Sequence, residues 1–113
     1  MSDRCSIKTA RIRELNAQLR CKSIGGRIVI TRGIEALGQD GMAQVLAAVA
    51  RFDDFTEDND PWGEHDCATL TGNGHRLIFK IDHYDRDLAY HSPDASDPAV
   101  TERVMTVMLA EEY

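Results

Sequence analysis

Much that would identify a chain at sight is missing from these 113 residues. Cysteine is scarce: Cys5, Cys21 and Cys67 are odd in number and widely spaced, and none forms a CxxC pair. That pattern predicts reduced thiols rather than a disulfide scaffold or a zinc knuckle. No stretch approaches the roughly 20 consecutive apolar residues a membrane-spanning helix needs. Met1-Ser2-Asp3-Arg4 leads into no apolar run, so no secretory signal is expected. Together these absences predict a cytoplasmic protein with no membrane partner. Aromatic residues make up 6% and include a single tryptophan. Basic residues are outnumbered, 13 Lys and Arg against 19 Asp and Glu, for a net charge of -6. Such a surface repels phosphate, so direct nucleic-acid binding is not expected and a basic protein partner is.

What is present suffices for one domain spanning residues 1–113. The apolar fraction of 42% is ordinary for a globular chain, and this length buries a core without disulfides or metal. Residues 6–21 read as a helix, with Ile12, Leu15 and Leu19 on one face and Lys8, Arg11, Arg13, Arg20 and Lys22 around the rest. Gly25-Gly26 ends it. Arg27 to Thr31 is β-branched and predicts a strand. Gly33 to Gly38 reads as one helical turn. Asp40 is placed to cap a helix from about Gly41 to Phe52, whose Met42, Val45, Leu46, Val49 and Phe52 follow helical spacing.

The clearest structural signal is a hairpin, 65–71 and 75–84, around Gly72-Asn73-Gly74, because Asn-Gly is the preferred centre of a type I′ turn. With Asn73 and Gly74 at the turn, Leu70 faces Leu77 and Ala68 faces Phe79. One side is then apolar: Ala68, Leu70, Leu77, Phe79 and Ile81. The other carries His65 opposite Asp82 and Cys67 opposite Lys80. Asp97-Pro98 reads as the start of a last helix bearing Val100, Val104, Val107, Met108 and Leu109. The predicted fold is α+β, an antiparallel three-stranded sheet with about three helices over one face.

Between the second helix and the hairpin, residues 52–66 hold seven carboxylates, His65, Pro61, Gly63 and Trp62. Asp53, Asp54, Glu57, Asp58, Asp60, Trp62 and Glu64, with Tyr84, are the candidate binding residues, and Asp53 to Asp60 reads as solvated turn. His65, Asp66, Lys80 and Asp82 are the candidate polar network. A tryptophan beside Pro and Gly more often plugs a loop onto a core than it stands out as a recognition anchor. Cys67 near a His and a Lys is an arrangement a thiol nucleophile uses, yet a solvated sheet face explains it as well. Glu64, His65, Asp66, Asp82, His83, Asp85 and Asp87 would suit a hard cation. However, Asp58-Asn59-Asp60 does not continue as an EF-hand, and neither HExxH nor zinc-spaced ligands occur. No catalytic residue, metal or cofactor is therefore assigned.

Asp60-Pro61-Trp62-Gly63-Glu64-His65-Asp66, Gly74-His75-Arg76, Lys80-Ile81-Asp82-His83-Tyr84-Asp85, Ser92-Pro93-Asp94 and Val104 to Tyr113 together resemble the domain-of-unknown-function family 3768, typical of alphaproteobacteria and their plasmids. Arg11-Ile12-Arg13-Glu14-Leu15-Asn16 is also similar to that family. The resemblance implies an intracellular bacterial protein, often on mobile DNA, and brings no activity with it. Aromatic residues are usual in such sequences at the positions of Cys67 and His83. That counts against Cys67 as a nucleophile and His83 as an obligate ligand.

The expectation is thus a small acidic non-enzymatic interaction protein. Its carboxylates would occupy the basic groove of a bacterial nucleic-acid-handling complex, in the manner of an anti-CRISPR or anti-restriction inhibitor or regulator. The alternative is a metal-dependent or acid–base enzyme centred on Glu64-His65-Asp66.

Overall fold

The computed structural model describes residues 6–113, so Cys5 lies outside the described residues. Helix α1 runs Ile7–Lys22, strand β1 Arg27–Ile30, helix α2 Arg32–Glu35 and helix α3 Gly38–Arg51. Strands β2, Cys67–Gly72, and β3, His75–Tyr84, form the hairpin, and β4, Glu102–Leu109, follows a long connection. The fold is α+β, as the sequence predicts.

Local chemistry explains the helix ends. The Ser6 hydroxyl accepts from the Thr9 N–H at 3.0 Å to open α1. Ser23, in the left-handed region at φ 58°, closes it by donating to the Gln18 and Leu19 carbonyls. Helix α3 starts at Gly38, earlier than expected, and Asp40 does not cap it. Asp40 lies instead in the first turn, where a carboxylate still favours the helix dipole. The expected turn at Gly33 to Gly38 is the short α2, shifted toward the N-terminus.

The hairpin forms in the predicted register, with Leu70 opposite Leu77 and Ala68 opposite Phe79. Asn73 and Gly74 both have positive φ, 53° and 76°, as a type I′ turn demands. Close packing holds the end of β2: a Cβ on Gly72 would sit 2.7 Å from the Ala48 side chain of α3.

The sheet differs from expectation. It has four strands in the order β1-β4-β3-β2, and β1 pairs with β4 in parallel while the other pairs are antiparallel. The extra strand is the segment expected to be the last helix. Asp97 does act as a cap, accepting from the Ala99 N–H at 2.9 Å, but only for the three-residue 3-10 turn Pro98–Val100. Beyond it, Thr101, Arg103, Met105 and Val107 are buried alternately. Val104, Thr106 and Val107 are β-branched and fit a pleat flanked by two strands. Leu109, at the strand's end, hands over to a last 3-10 turn whose Glu112 carboxylate accepts from Thr31 and from the Gly33 N–H, tying the end of the chain to α2.

One face of the sheet is covered. Leu77, Phe79, Ile81, Met105 and Val107 pack against Leu19 of α1, Ile34 of α2 and Val45 and Val49 of α3 in a single cluster. At roughly 1.5–3 kcal/mol per buried large apolar side chain, this cluster is the main source of stability. No helix among the described residues is long and apolar enough to cross a membrane.

Candidate functional site

The acidic loop is built around buried anchors. Phe55 packs edge-on against Phe52 and Phe79 and stacks on the His65 imidazole, with centroids 3.9 Å apart. Asp60 is only 2% exposed, so it is not part of a solvated turn as the sequence suggested. Its carboxylate accepts the His65 N–H with both oxygens at 3.2 Å and lies 3.5 Å from His65 Nε2. His65 adopts φ 54°, in the left-handed region, and the β2 ladder begins two residues later at Cys67. The expected His65–Asp82 pair is therefore replaced by His65–Asp60, within the loop itself. Arg13 reaches across from α1 and donates to the Gly63 carbonyl at 3.0 Å.

With its base fixed in this way, the loop turns its other charges outward. Asp53, Asp54, Glu57 and Asp58 are exposed. Trp62 is 70% exposed, so it is no plug; the plug is Phe55.

Arg20, read from its helix position as a solvated charge, is buried. Its Nη1 donates to the carbonyls of Val49, Ala50 and Phe52 at 2.9, 3.2 and 2.6 Å, closing the C-terminal end of α3. Its guanidinium also lies 5.2 Å from the Phe55 ring centroid. The loop thus leaves α3 from a fixed point.

Behind the loop lies a buried polar hub. Asn16 and Arg103 are 0% and 1% exposed, and His83 is 7% exposed. Asn16 Nδ2 donates to the Glu64 carbonyl at 3.0 Å. Asn16 Oδ1 accepts from Arg103 Nε at 3.0 Å and faces His83 Nε2 at 3.0 Å. Arg103 also donates to the Ala95 carbonyl. Because an arginine nitrogen only donates, Oδ1 is the shared acceptor, and the network assigns the His83 proton to Nε2. Burial first, then Arg103 and His91, lower the His83 pKa to about 4, so the ring is neutral at physiological pH. Arg103 is lowered to about 10, chiefly by burial, and keeps its charge.

In front of the hub is a cleft of about 630 Å³, lined among others by Glu64, Asp66, His83, Tyr84, Tyr90 and His91. The connection 85–95 forms one wall and is held by a bridge between Tyr84 and His91. Burial raises the Glu64 pKa, and the Asp66 and Asp60 charges raise it further. Asp66 is raised by burial and by Asp60 and Asp82. Asp82 is engaged by Lys80 at 3.4 Å and Asp94 by Lys8 at 3.7 Å, whereas among the described residues no Lys or Arg forms an ion pair with Glu64 or Asp66. The two carboxylates thus repel each other in a partly dehydrated setting.

On the opposite face of the hairpin, Cys67 pairs with Lys80 in the predicted register. The Cys67 thiol is pushed up by burial and by the Asp66 and Asp60 charges, and the Lys80 ammonium is turned to Asp82. This is the reverse of what a thiolate nucleophile needs. Among the described residues, no three His, Cys, Asp or Glu side chains gather closely enough to hold a metal ion. The structure brings together Glu64, Asp66, Asp82 and Tyr84 at the cleft, and keeps Asp53, Asp54, Glu57, Asp58 and Trp62 on the outer loop.

The hub went unread in the sequence, though one signal was there. The apolar alternation Leu77, Phe79, Ile81 continues by parity to His83, which places that ring on the covered face. Nothing local marks Asn16 or Arg103.

A family model described as Protein of unknown function (DUF3768) matches residues 30–112, which takes in the loop, the hairpin and β4 but not α1. No curated protein and no solved structure matches the chain.

Proposed function

The chain belongs to the DUF3768 family, a premise that carries no chemistry of its own, and from its geometry we propose a small interaction protein that engages a basic partner through its acidic loop. One observation carries this reading: four exposed carboxylates, Asp53, Asp54, Glu57 and Asp58, and a 70% exposed tryptophan are displayed on a loop whose base is buried. Exposed acidic groups around a large aromatic ring supply both steering and an anchor. A fixed base lowers the ordering cost of binding. The partner class is a protein with a basic, nucleic-acid-binding groove, so the protein acts as an inhibitor or regulator of a nucleic-acid-handling complex, of the anti-CRISPR or anti-restriction type. The net charge of -6 supports that choice, since it matches what such a groove attracts.

The test is capture from a bacterial lysate by the native protein and by a folded variant carrying D53K, D54K, E57K and D58K. Nucleic-acid-binding proteins retained by the native chain at low salt, released at high salt and absent from the variant support the proposal. An identical set on both chains contradicts it.

An acid–base enzyme is the second reading. What favours it is the pair Glu64 and Asp66, both holding their protons more tightly than ordinary carboxylates inside a cleft. Turnover on a panel of hydrolase substrates that disappears in E64Q supports this reading; turnover independent of Glu64, or none, removes it.

A further inference from the structure

Strand β2 ends one side of the sheet, and among the described residues no strand pairs with its outer edge. The hairpin fixes which backbone groups face that edge. The Ile81 N–H donates to the Asp66 carbonyl at 2.6 Å, so Asp66 and Ile81 are a hydrogen-bonded pair. In an antiparallel ladder such pairs alternate with pairs whose N–H and C=O groups point the other way. Following the register, Ala68, Leu70 and Gly72 bond inward to β3, whereas Cys67, Thr69 and Thr71 turn their groups outward. All three residues are exposed, and among the described residues no other segment hydrogen-bonds to those groups. A hollow of about 400 Å³ touches both Ala68 and Thr69, which project to opposite faces, so open space reaches round the edge.

Sheets guard a free edge with charge, proline, a bulge or brevity. At the other edge of this sheet, β1 has only four residues and begins at Arg27. Strand β2 has none of these devices: Cys67 to Gly72 include no charge and no proline, and the ladder to β3 runs without a bulge. The outward set is also symmetric about Thr69.

We propose that β2 pairs antiparallel with β2 of a second copy of this chain, about a two-fold axis at Thr69, joining the two sheets into one. In this register Thr69 faces Thr69 and Cys67 faces Thr71, so every outward residue of each copy exchanges both backbone bonds. A shift of two residues either way leaves one of the three outside the pair. The side chains agree. Thr against Thr is a favourable cross-strand pair, and on the covered face Ala68 meets Leu70, small against large. Asp66, with which no Lys or Arg pairs among the described residues, comes opposite Gly72 of the second copy. No side chain there separates it from that copy's His75, the residue paired with Gly72, whose ring can donate to it. An unrelated extended peptide would find the backbone groups but not this complementarity, which a second copy meets twice. The neutrality of the strand also matters. Each chain carries a net charge of -6, and an uncharged edge is where two such chains approach at least cost. A single strand pair is a small interface, so the dimer is half formed at about 10–100 µM.

The experiment is sedimentation equilibrium of the full chain over a concentration series under reducing conditions. The expected result is a reversible monomer–dimer equilibrium. T69K sets like charges against each other across the axis, and T69P removes the on-axis N–H, which the β2–β3 ladder does not use. Both should keep the native circular dichroism and weaken dimerisation by about tenfold or more. Thiol coupling tests the register. In a C5S, C21S and C67S background, T69C places one thiol against its copy across a hydrogen-bonded pair, about 5.5 Å between Cα atoms and within disulfide reach. T71C in the same background leaves the two thiols four residues out of register, roughly 13 Å apart. Oxidised glutathione should link T69C into a covalent dimer about tenfold faster than T71C, or more.

A chain that stays monomeric throughout the series would overturn the proposal and leave the edge to an extended segment of another protein. A dimer unchanged by T69K and T69P would overturn it by placing the contact on another surface, and equal coupling of T69C and T71C would overturn the register.

Discussion

Asn16 is fully buried, and its amide joins α1 to the Glu64 backbone, to His83 at the end of β3 and to Arg103 of β4. Its removal strands a buried arginine donor as well as a carbonyl. We expect Asn16→Ala to cost about 2–4 kcal/mol in urea unfolding, more than its own packing accounts for. His83 adds a dependence on pH. Its folded pKa of about 4 lies below the ordinary 6.5, so above pH 6.5 neither state carries the proton and its contribution is complete. As pH falls from 6.5 to 4 the unfolded chain takes up the proton first, and stability drops by roughly 3 kcal/mol in total. Glu64 and Asp66 act in the opposite sense: their folded pKa values are raised, so on acidification the folded state binds their protons first. The difference between the pH–stability curves of the native chain and H83Q isolates the histidine, and a flat difference between pH 6.5 and 4 would contradict its neutral state. At this scale the sequence was legible only in part. Parity along β3 marks His83, whereas the burial of Asp60 depends on its carboxylate turning back to the His65 N–H, a local bond that no hydrophobic pattern signals.

The hairpin was readable because its signal is local. Asn73-Gly74 fixes the turn, the turn fixes the register, and the alternation of Leu70, Leu77 and Phe79 agrees with it. Strand β4 was not, because Val104, Val107 and Met108 follow helical spacing, the alternately buried set of Arg103, Met105 and Val107 includes a charged residue, and the Asp97-Pro98 cap is real. What decides for a strand is the presence of β3 and β1 on either side, a long-range fact. The parallel β1–β4 pair joins segments some 75 residues apart in sequence, as Arg27 opposite Val104 illustrates. Replacement at Thr106, half-exposed between β1 and β3, tests its place in a central strand. Thr106→Val should leave stability near native, since it keeps a β-branched side chain in a strand. Thr106→Pro removes a ladder donor from a central strand and should abolish cooperative unfolding by circular dichroism. The Arg20 clamp is similar in kind: Arg20→Met should keep the packing but free three carbonyls at the end of α3, at a cost of about 2–3 kcal/mol.

Across the whole molecule, charge is sorted by depth. Arg20 and Arg103 are spent inside on carbonyls and the hub, while Asp53, Asp54, Glu57 and Asp58 stand outside on a loop held at its base by Asp60 and Phe55. Among the described residues folding buries Arg20 and Arg103 but, of the carboxylates, only Asp60, so the acidic composition readable from the sequence is kept at the surface. Trp62, set among these carboxylates, gives that surface an apolar point of contact. The most direct test is competition for a partner isolated by capture. A fluorescent oligonucleotide bound to that partner is titrated with the native chain, and release is read by anisotropy. The account predicts that the native chain displaces the oligonucleotide, that Trp62→Ala weakens displacement by roughly tenfold, and that the variant with D53K, D54K, E57K and D58K fails to displace it. A partner that holds the oligonucleotide and this protein together, with no release at saturation, would contradict it.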